Sequence, residues 1–244
     1  MKFSKNYIIK NQTWVFIPAR AGSKKIKNKN IKKLNGFPLI YYSLNTAKKL
    51  KFIKKIVFSS DSAKYHKIAN KYATIESHFR SSKTSKDYST DYEVFKEYVA
   101  NKIKNKEKIP EFFLHLRPTT PLREIKTLKK IYNYFLKNKK KFSSLRSVTE
   151  LENPGYRTVI IKKKKLYSLF LKSFHLDQIN KARQLFAKTF IPNGYGDIIK
   201  TENIFKGFIH GKSVGYFVNN EFNSDIDNID EFKSTERFLR QFLF

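Results

Sequence analysis

Short apolar runs alternate along the first 150 residues with longer stretches in which apolar side chains recur at helical spacing. The short runs predict buried strands at Trp14–Ile17, Lys55–Ser59, Thr74–Phe79, Phe112–Leu116 and Ser143–Val148. The periodic stretches predict helices at Pro38–Leu50, Ala63–Lys71, Tyr92–Lys104 and Ile125–Leu136. Strands that alternate with helices indicate an α/β fold, with a mainly parallel central sheet covered by helices on both faces.

The pattern changes after about Leu151. Asn153-Pro154-Gly155 predicts a turn, and two short apolar runs, Val159–Ile161 and Leu166–Leu169, predict a hairpin. The chain then lacks clear periodicity until Phe190, and irregular segments of this length commonly serve function or contact a partner. A strand near Val214–Val218 and a last helix over Asp230–Phe242, with Asp230 as its N-cap, complete the prediction. We therefore expect a single domain over residues 1–244, with a small arm at about 151–190.

In a parallel sheet the loops after the strands meet at one edge, where ligands bind. The first such loop follows the apolar run Trp14–Ile17 and contains Arg20, Ser23, Lys29 and Asn30. Backbone N–H groups of small residues, an Arg fork and a Lys charge suit a polyphosphate. The loop fits neither the Walker pattern nor the dinucleotide-binding glycine pattern. A solvated basic loop is the alternative interpretation, and the position directly after a buried strand favours phosphate binding.

Asp225-Ile226-Asp227 is the second candidate for chemistry. Alternate side chains of an extended segment share a face, so both carboxylates point the same way. Paired carboxylates next to substrate phosphates suit Mg²⁺. The alternative is an acidic turn that caps the last helix.

Two further loops belong to the same predicted sheet edge. The segment from Arg80 to Asp91 is polar and irregular, and Arg80 is able to donate to a pyrimidine carbonyl. Its alternative role is to cap the following helix through Thr90 or Asp91. The segment from Arg117 to Arg123 contains two prolines, which stiffen the turn.

Composition narrows the classes of function. The formal net charge is +31, from 51 Lys and Arg against 20 Asp and Glu. The lysines are spread along the whole chain without a compact basic stripe, so a nucleic-acid partner is not favoured. The sequence contains no cysteine, which excludes disulfides and thiolate metal sites. Without a signal-peptide pattern or a membrane-length apolar run, a cytoplasmic protein with no membrane partner is expected.

Taken together, these loops resemble the acylneuraminate cytidylyltransferase family, also called CMP-sialic acid synthetases. The similarity covers nearly the whole chain in order and spacing. The matching segments are Ile17 to Lys24 with Lys29-Asn30, Phe58 to Asp61, Arg80 to Asp87, Arg117 to Arg123, Arg183-Gln184 ahead of Pro192-Asn193-Gly194, and Asp225 to Asp227. Two positions depart from the family, since Arg117 stands where many members have Gln and Ile191 where many have Arg. Both lie near the expected sugar site, so the identity of the sugar stays open.

The resemblance implies a three-layer, Rossmann-like nucleotidyltransferase fold and a reaction between CTP and a sialic-acid-like 2-keto sugar acid. The products are the CMP-sugar and pyrophosphate. It further implies a homodimer in which an arm from each subunit completes the partner's sugar pocket. By the same resemblance, the catalytic residues are Arg20, Lys29 and Asp227, and the Mg²⁺ ligands are Asp225 and Asp227. The residues implied to bind the nucleotide are Arg20, Ser23, Lys29, Asn30, Arg80 and Ser89. The residues implied to bind the sugar are Arg117, Arg183 and Gln184.

Two alternatives remain at this stage. One is the related 3-deoxy-octulosonate cytidylyltransferase, whose opening loop tends toward a different pattern. The other is a basic protein that binds RNA or anionic surfaces without catalysis, whose affinity would fall steeply with salt. The favoured partners are CTP and a nonulosonic sugar acid, with no nucleic acid.

Overall fold

The computed structural model describes residues 5–170, 175–220 and 225–242. Its six helices within these ranges are α1 (Leu39–Lys49), α2 (Ala63–Asn70), α3 (Asp91–Lys104), α4 (Ile125–Asn138), α5 (Thr201–Phe205) and α6 (Ile229–Phe242). Its strands are β1 (Ile8–Pro18), β2 (Lys33–Leu34), β3 (Phe37–Pro38), β4 (Ile53–Ser60), β5 (Glu76–Phe79), β6 (Ile109–His115), β7 (Ser144–Glu150), β8 (Val159–Lys162), β9 (Lys165–Ser168), β10 (Phe190–Pro192), β11 (Asp197–Lys200) and β12 (Val214–Val218). No helix in these ranges has both the length and the apolar character needed to cross a bilayer.

Eight strands form the central sheet in the order β10-β7-β11-β6-β1-β4-β5, with β12 also paired to β7. β1 runs parallel to β4 and β6, β4 runs parallel to β5, and β12 runs parallel to β7. β11 is antiparallel to both of its neighbours, and β10 is antiparallel to β7. The predicted α/β class and mainly parallel sheet are therefore confirmed.

Alternate side chains of β1 divide the core into two layers around the sheet. Val15 and Ile17 pack with α1, α2 and α4 on one face. Trp14 and Phe16 pack with α3 and α5 on the other, where the Phe16 and Phe95 rings stack with centroids 4.1 Å apart. A strand buried on both faces explains why the sequence shows a continuous apolar run there.

A third, smaller apolar cluster holds the chain segments that matter for function. It joins Ile26 of the loop after β1, Ile226 and the inner face of α6. Each of the first two side chains is almost fully buried. This cluster brings a loop near the amino terminus against a segment 200 residues later.

Most predicted elements occur within a few residues of their expected bounds, and the differences have clear causes. β11 and α5 were not predicted, because the four-residue strand and five-residue helix are too short to show a period. The predicted N-cap Asp230 is wrong. The side chain of Asn228 accepts from the backbone N–H groups of Asp230 and Glu231, so Asn228 occupies the capping position. Thr90 does cap α3, in a capping box with Glu93.

Candidate active site

The loops that follow β1, β4, β5 and β6 meet at the carboxyl edge of the sheet, as the parallel topology requires. The loop after β1 is held in place by its own side chains and by its neighbours. Asn30 is buried, and its Nδ2 donates to the carbonyl of Arg20 at 2.9 Å. The backbone N–H of Ala21 donates to Asp61 at the end of β4, 2.7 Å away. Gly22 has φ of +74°, a conformation that favours glycine.

Lys29 connects the predicted phosphate loop to the predicted aspartate pair. Its Nζ donates to the carbonyl of Ile226 at 2.7 Å and to Asp227 Oδ1 at 3.1 Å. The backbone N–H of Ile226 donates in turn to Thr119 O at 2.8 Å, in the loop after β6. Three loops from distant parts of the chain thus share one site.

Asp225 and Asp227 are exposed on either side of buried Ile226. This alternation is the one expected when two carboxylates of an extended segment share a face. Within the described residues, no three Asp, Glu or His side chains converge to hold a metal alone. Mg²⁺ characteristically takes one or two carboxylates together with substrate phosphates and water, so an exposed pair suits it.

Arg20 forms an ion pair that no pattern in the sequence predicts. Its Nη1 lies 2.7 Å from Asp87 Oδ1, and Lys24 contacts the other oxygen of the same carboxylate. These two cations lower the pKa of Asp87. The loop after β5 therefore reaches the loop after β1.

Arg80 lies at the end of β5, and its side chain is positioned by β4. Its Nε donates to Ser59 Oγ at 2.9 Å, and the same hydroxyl lies 2.9 Å from His78 Nδ1. Burial lowers the pKa of Arg80 to about 10. Ser89, predicted beside Arg80 as a nucleotide ligand, instead uses its hydroxyl to bridge Lys83 O and the Lys86 N–H within its own loop.

Arg117 is fixed by two aspartates at the end of β6. Its Nη2 lies 2.7 Å from Asp91 Oδ2, and its Nη1 lies 3.1 Å from Asp197 Oδ2. Asp197 is not among the site residues predicted from the sequence. A carboxylate inside a buried strand is nevertheless a recognisable sign of a paired or functional group, because this chain has few acidic residues. Arg146 Nε, 3.4 Å from the same Asp197 oxygen, was also missed.

Arg183 and Gln184 lie away from these loops, in a short 3₁₀ turn of the arm. Both are exposed, and they line a cleft of about 510 Å³ together with Glu150, Leu151, Pro154, Phe186, Ala187, Lys188 and Thr189. Over the described parts of the chain, neither side chain has a hydrogen bond or ion pair to the loops at the sheet edge. The structure thus brings Arg20, Lys29 and Asp227 to one edge, and among the described contacts it links neither arm residue to them.

A family model described as cytidylyltransferase matches residues 14–195, which is most of the chain. The chain belongs to this cytidylyltransferase family. The predicted resemblance is thereby confirmed, and it places the chain among the nucleotidyltransferases.

Curated relatives are similar over most of the chain. "Post-translational flagellin modification protein B" of Campylobacter coli is 27% identical over 92% of this chain and 94% of its own length. "Pseudaminic acid cytidylyltransferase" of Campylobacter jejuni is 32% identical over 63% of this chain and 65% of its own length. "N-acylneuraminate cytidylyltransferase" of Streptococcus agalactiae is 28% identical over 88% of this chain. The chain spans only half the length of that Streptococcus protein.

Solved structures share the fold at low sequence identity. "CMP:2-keto-3-deoxy-manno-octonic acid synthetase complexed with CTP" aligns over 94% of this chain and 99% of its own, with a TM-score of 0.65 and 10% identity. "4-diphosphocytidyl-2C-methyl-D-erythritol synthase" from Anaerococcus prevotii aligns over 94% and 96%, with a TM-score of 0.63 and 15% identity. Both support the three-layer nucleotidyltransferase fold expected from the sequence.

Proposed function

We propose that this chain transfers a cytidylyl group from CTP to a sialic-acid-like, nine-carbon 2-keto sugar acid. The observation that carries the proposal is the contact of Lys29 with Asp227, because it joins the phosphate loop to the aspartate pair. Membership of the cytidylyltransferase family and similarity to proteins named for acylneuraminate and pseudaminic acid support it. The anomeric hydroxyl of the sugar attacks the α-phosphorus, a new P–O bond forms, and the bond to pyrophosphate breaks.

In this proposal the triphosphate lies over the loop after β1. Arg20 and Lys29 neutralise its charge, and Ser23 donates a hydrogen bond. Asn30 acts mainly through its bond to the Arg20 carbonyl, which fixes the loop. Displacement at phosphorus depends chiefly on positioning and charge neutralisation, and prearranged cations supply both.

Asp225 and Asp227 are the proposed Mg²⁺ ligands. An ion held by these two carboxylates would supply positive charge that stabilises the triphosphate during displacement. Asp227 is also the carboxylate that we propose accepts the hydroxyl proton.

The loop after β5 is proposed to read the base. The guanidinium of Arg80 is anchored through Nε on Ser59, which leaves its other donors for the cytosine carbonyl. Ser89 contributes through the shape of its loop, given its two internal hydrogen bonds.

We further propose that the chain is one cytidylyltransferase domain that works as a homodimer, with an arm at about 151–190. The hairpin β8–β9 and the following turns expose large apolar side chains, including Ile161 at 76% and Leu185 at 73% of their full accessible area. Apolar surface of this kind is characteristic of a contact with another chain. A partner's arm would then bring Arg183 and Gln184 to the sugar, opposite Arg117.

The experiment that tests the proposal is a thermal-shift panel of CTP, UTP, ATP and GTP with Mg²⁺, followed by pyrophosphate release with sugar acids. A specific ligand raises the unfolding temperature by mass action. We expect the largest shift with CTP, and turnover with N-acetylneuraminate, pseudaminate or N,N′-diacetyllegionaminate.

Two outcomes would point elsewhere. Turnover confined to 3-deoxy-octulosonate would favour the related cytidylyltransferase class. No nucleotide preference, together with polynucleotide binding that falls steeply with salt, would favour an anion-binding protein and contradict the proposal.

A further inference from the structure

Three neighbouring strands place polar side chains side by side on the face of the sheet that α3 covers. Asp197 of β11 pairs with His115 of β6 in the antiparallel register. β11 is also antiparallel to β7, and there Ile198 pairs with Leu145. One residue further along the two strands, Asp197 therefore lies opposite Arg146. Directly opposed residues of adjacent strands project from the same face, which explains how Arg146 reaches the Asp197 carboxylate.

Asp197 is the centre of a charge-balanced cluster. One oxygen of its fully buried carboxylate contacts Arg117 at 3.1 Å and Arg146 at 3.4 Å. The second aspartate, Asp91, binds the other side of Arg117 at 2.7 Å. Two guanidinium charges of the cluster therefore face two carboxylates. Arg80, which also interacts with Asp91, has Asp61 and Glu97 as further acidic neighbours.

Two histidines border the cluster and add no charge to it. Burial lowers the pKa of His115 to about 3, and burial also lowers the pKa of His210. Both are therefore neutral near pH 7, and the cluster keeps its balance.

The cluster contains polar atoms without a hydrogen-bond partner among the described residues. They are both ring nitrogens of His115, Arg146 Nε and Asp197 Oδ1, and each of these atoms is inaccessible to solvent. Buried polar atoms in native proteins nearly always have a hydrogen-bond partner, so several unpartnered atoms in one cluster indicate a functional role. The side chains of Arg117, Arg146 and Asp91 remain 23%, 28% and 33% exposed, so the cluster opens to solvent on one side.

The position of the cluster in the sheet indicates its ligand. The nucleotide loops follow β1, β4 and β5, whereas the arm follows β7. β6 and β11 lie between these two regions, so the cluster separates the proposed nucleotide site from the proposed sugar-binding arm. Asp91 at the start of α3 also interacts with Arg80, which ties the cluster to the base-reading loop.

We propose that the cluster of Asp91, Arg117, Arg146 and Asp197 recognises an uncharged hydrogen-bonding group of the sugar acid, such as an acylamino or hydroxyl group. Asp197 is the positioning residue that holds both guanidinium groups. This inference rests on the proposed function. It also makes the expected role of Arg117 as a sugar ligand more specific, since its guanidinium would bind a neutral substituent.

The charge balance is the reason for this assignment. An anionic group entering the cluster would meet Asp91 and Asp197, and a cationic group would meet the two arginines. An uncharged group avoids both penalties. Arg117 uses two of its five N–H donors on the aspartates, which leaves donors for a carbonyl or hydroxyl oxygen.

The test compares four variants with the wild-type enzyme, using the sugar acid that the wild type turns over best. Asp197→Asn leaves the cluster with one excess positive charge, and Arg117→Gln leaves it with one excess negative charge. The double variant Arg117→Gln/Asp197→Asn restores neutrality. Glu202→Gln, at the opposite end of β11, is the matched control for loss of a carboxylate.

For each single variant of the cluster we expect the KM for the sugar acid to rise about tenfold or more, with CTP affinity unchanged. The double variant should recover part of that loss, and the control should match the wild type. Folding is followed separately by thermal unfolding, so that a loss of stability is not read as a loss of binding.

Several results would overturn the inference. One is an equal loss of CTP and sugar affinity in the single variants. Another is additive loss in the double variant. A third is an unchanged KM in variants that fold. Failure of the wild type to turn over any sugar acid with CTP would instead refute the proposed function, so the two failures are distinguishable.

Discussion

At the residue scale, each cation that we propose to hold phosphate is already paired with an aspartate. Arg20 contacts Asp87, and Lys29 contacts Asp227. Pairs of this kind fix the direction of long, flexible side chains before the substrate arrives. A chain with 51 basic and only 20 acidic residues thus uses several of its few acids at one site.

Asp227→Asn should reduce pyrophosphate release roughly 100-fold or more, because charge neutralisation at the triphosphate is lost. The carboxylate is 60% exposed, so its pair with Lys29 contributes about 1 kcal/mol or less to stability. The unfolding temperature should then fall by no more than about 4 °C. Asp230→Asn, an exposed acid three residues away, is the control and should retain full turnover. Full activity of the Asp227 variant would contradict the assignment.

Buried His115 contributes to the pH dependence of stability, and so does buried His78. Burial lowers the pKa of His78 to about 4 from an ordinary value of 6.5. As the pH falls from 6.5 to 4, this histidine binds its proton in the unfolded chain before it does so in the folded protein. The free energy of unfolding therefore decreases. His78 alone should account for about 3 kcal/mol of loss between pH 6.5 and pH 4. Urea unfolding at several pH values measures the slope.

His78→Gln should reduce that slope without abolishing it, because His115 still contributes, whatever the effect of the substitution on stability at neutral pH. His175→Gln changes an exposed histidine and should leave the slope unaltered. Equal slopes in the wild type and both variants would show that His78 is not a titrating group.

At the element scale, the long periodic helices and apolar strands could be predicted from the sequence, since α1, α3 and α4 each bury a regular stripe. β11 could not, because four residues carry no distinguishable period and its pairing depends on β6 and β7. The same strand carries Asp197, so the part of the site that it supplies was missed with it.

Gly215 of β12 packs closely against the ring of Phe142, and a substitution there tests this packing. A Cβ at Gly215 would lie 2.3 Å from the ring of Phe142, which itself packs against the core. Gly215→Ala should therefore lower the free energy of unfolding by about 1–3 kcal/mol through overpacking. Gly155→Ala is the matched control, because its Cβ would meet only ordinary contacts at 3.7 Å or more. Urea unfolding of both variants checks the difference, and equal stability would contradict the packing.

At the scale of the whole molecule, the proposed sugar site combines residues of the sheet edge with residues of the arm. Arg183 and Gln184 line a cleft of the arm together with Glu150, the last residue of β7. The exposed apolar hairpin beside them fits a contact between two copies of the chain. The proposed exchange of arms between two copies would bring these two residues to the sugar together with Arg117 of the other copy.

Subunit complementation tests that arrangement. Asp227→Asn inactivates the sheet-edge site of its own chain, whereas Arg183→Gln disables the arm that serves the partner. A mixed dimer of the two variants has one site built entirely from intact groups, so a 1:1 mixture should recover about a quarter of wild-type activity. Coexpression followed by pyrophosphate release measures the recovery. No recovery, with mixed dimers demonstrated by differential tags, would show that each arm serves its own chain.

The sequence by itself determined the class of fold and the family, and it predicted the loops that we propose carry the nucleotide chemistry, because hydrophobic periods and loop motifs are local properties of the chain. Only the tertiary structure decided which charges meet. Asp87 with Arg20, Lys29 with Asp227, and Asp197 between Arg117 and Arg146 are contacts between segments far apart in sequence. They arise from the order of the strands and from the apolar cluster that holds Ile226 against Ile26, and no local pattern encodes them.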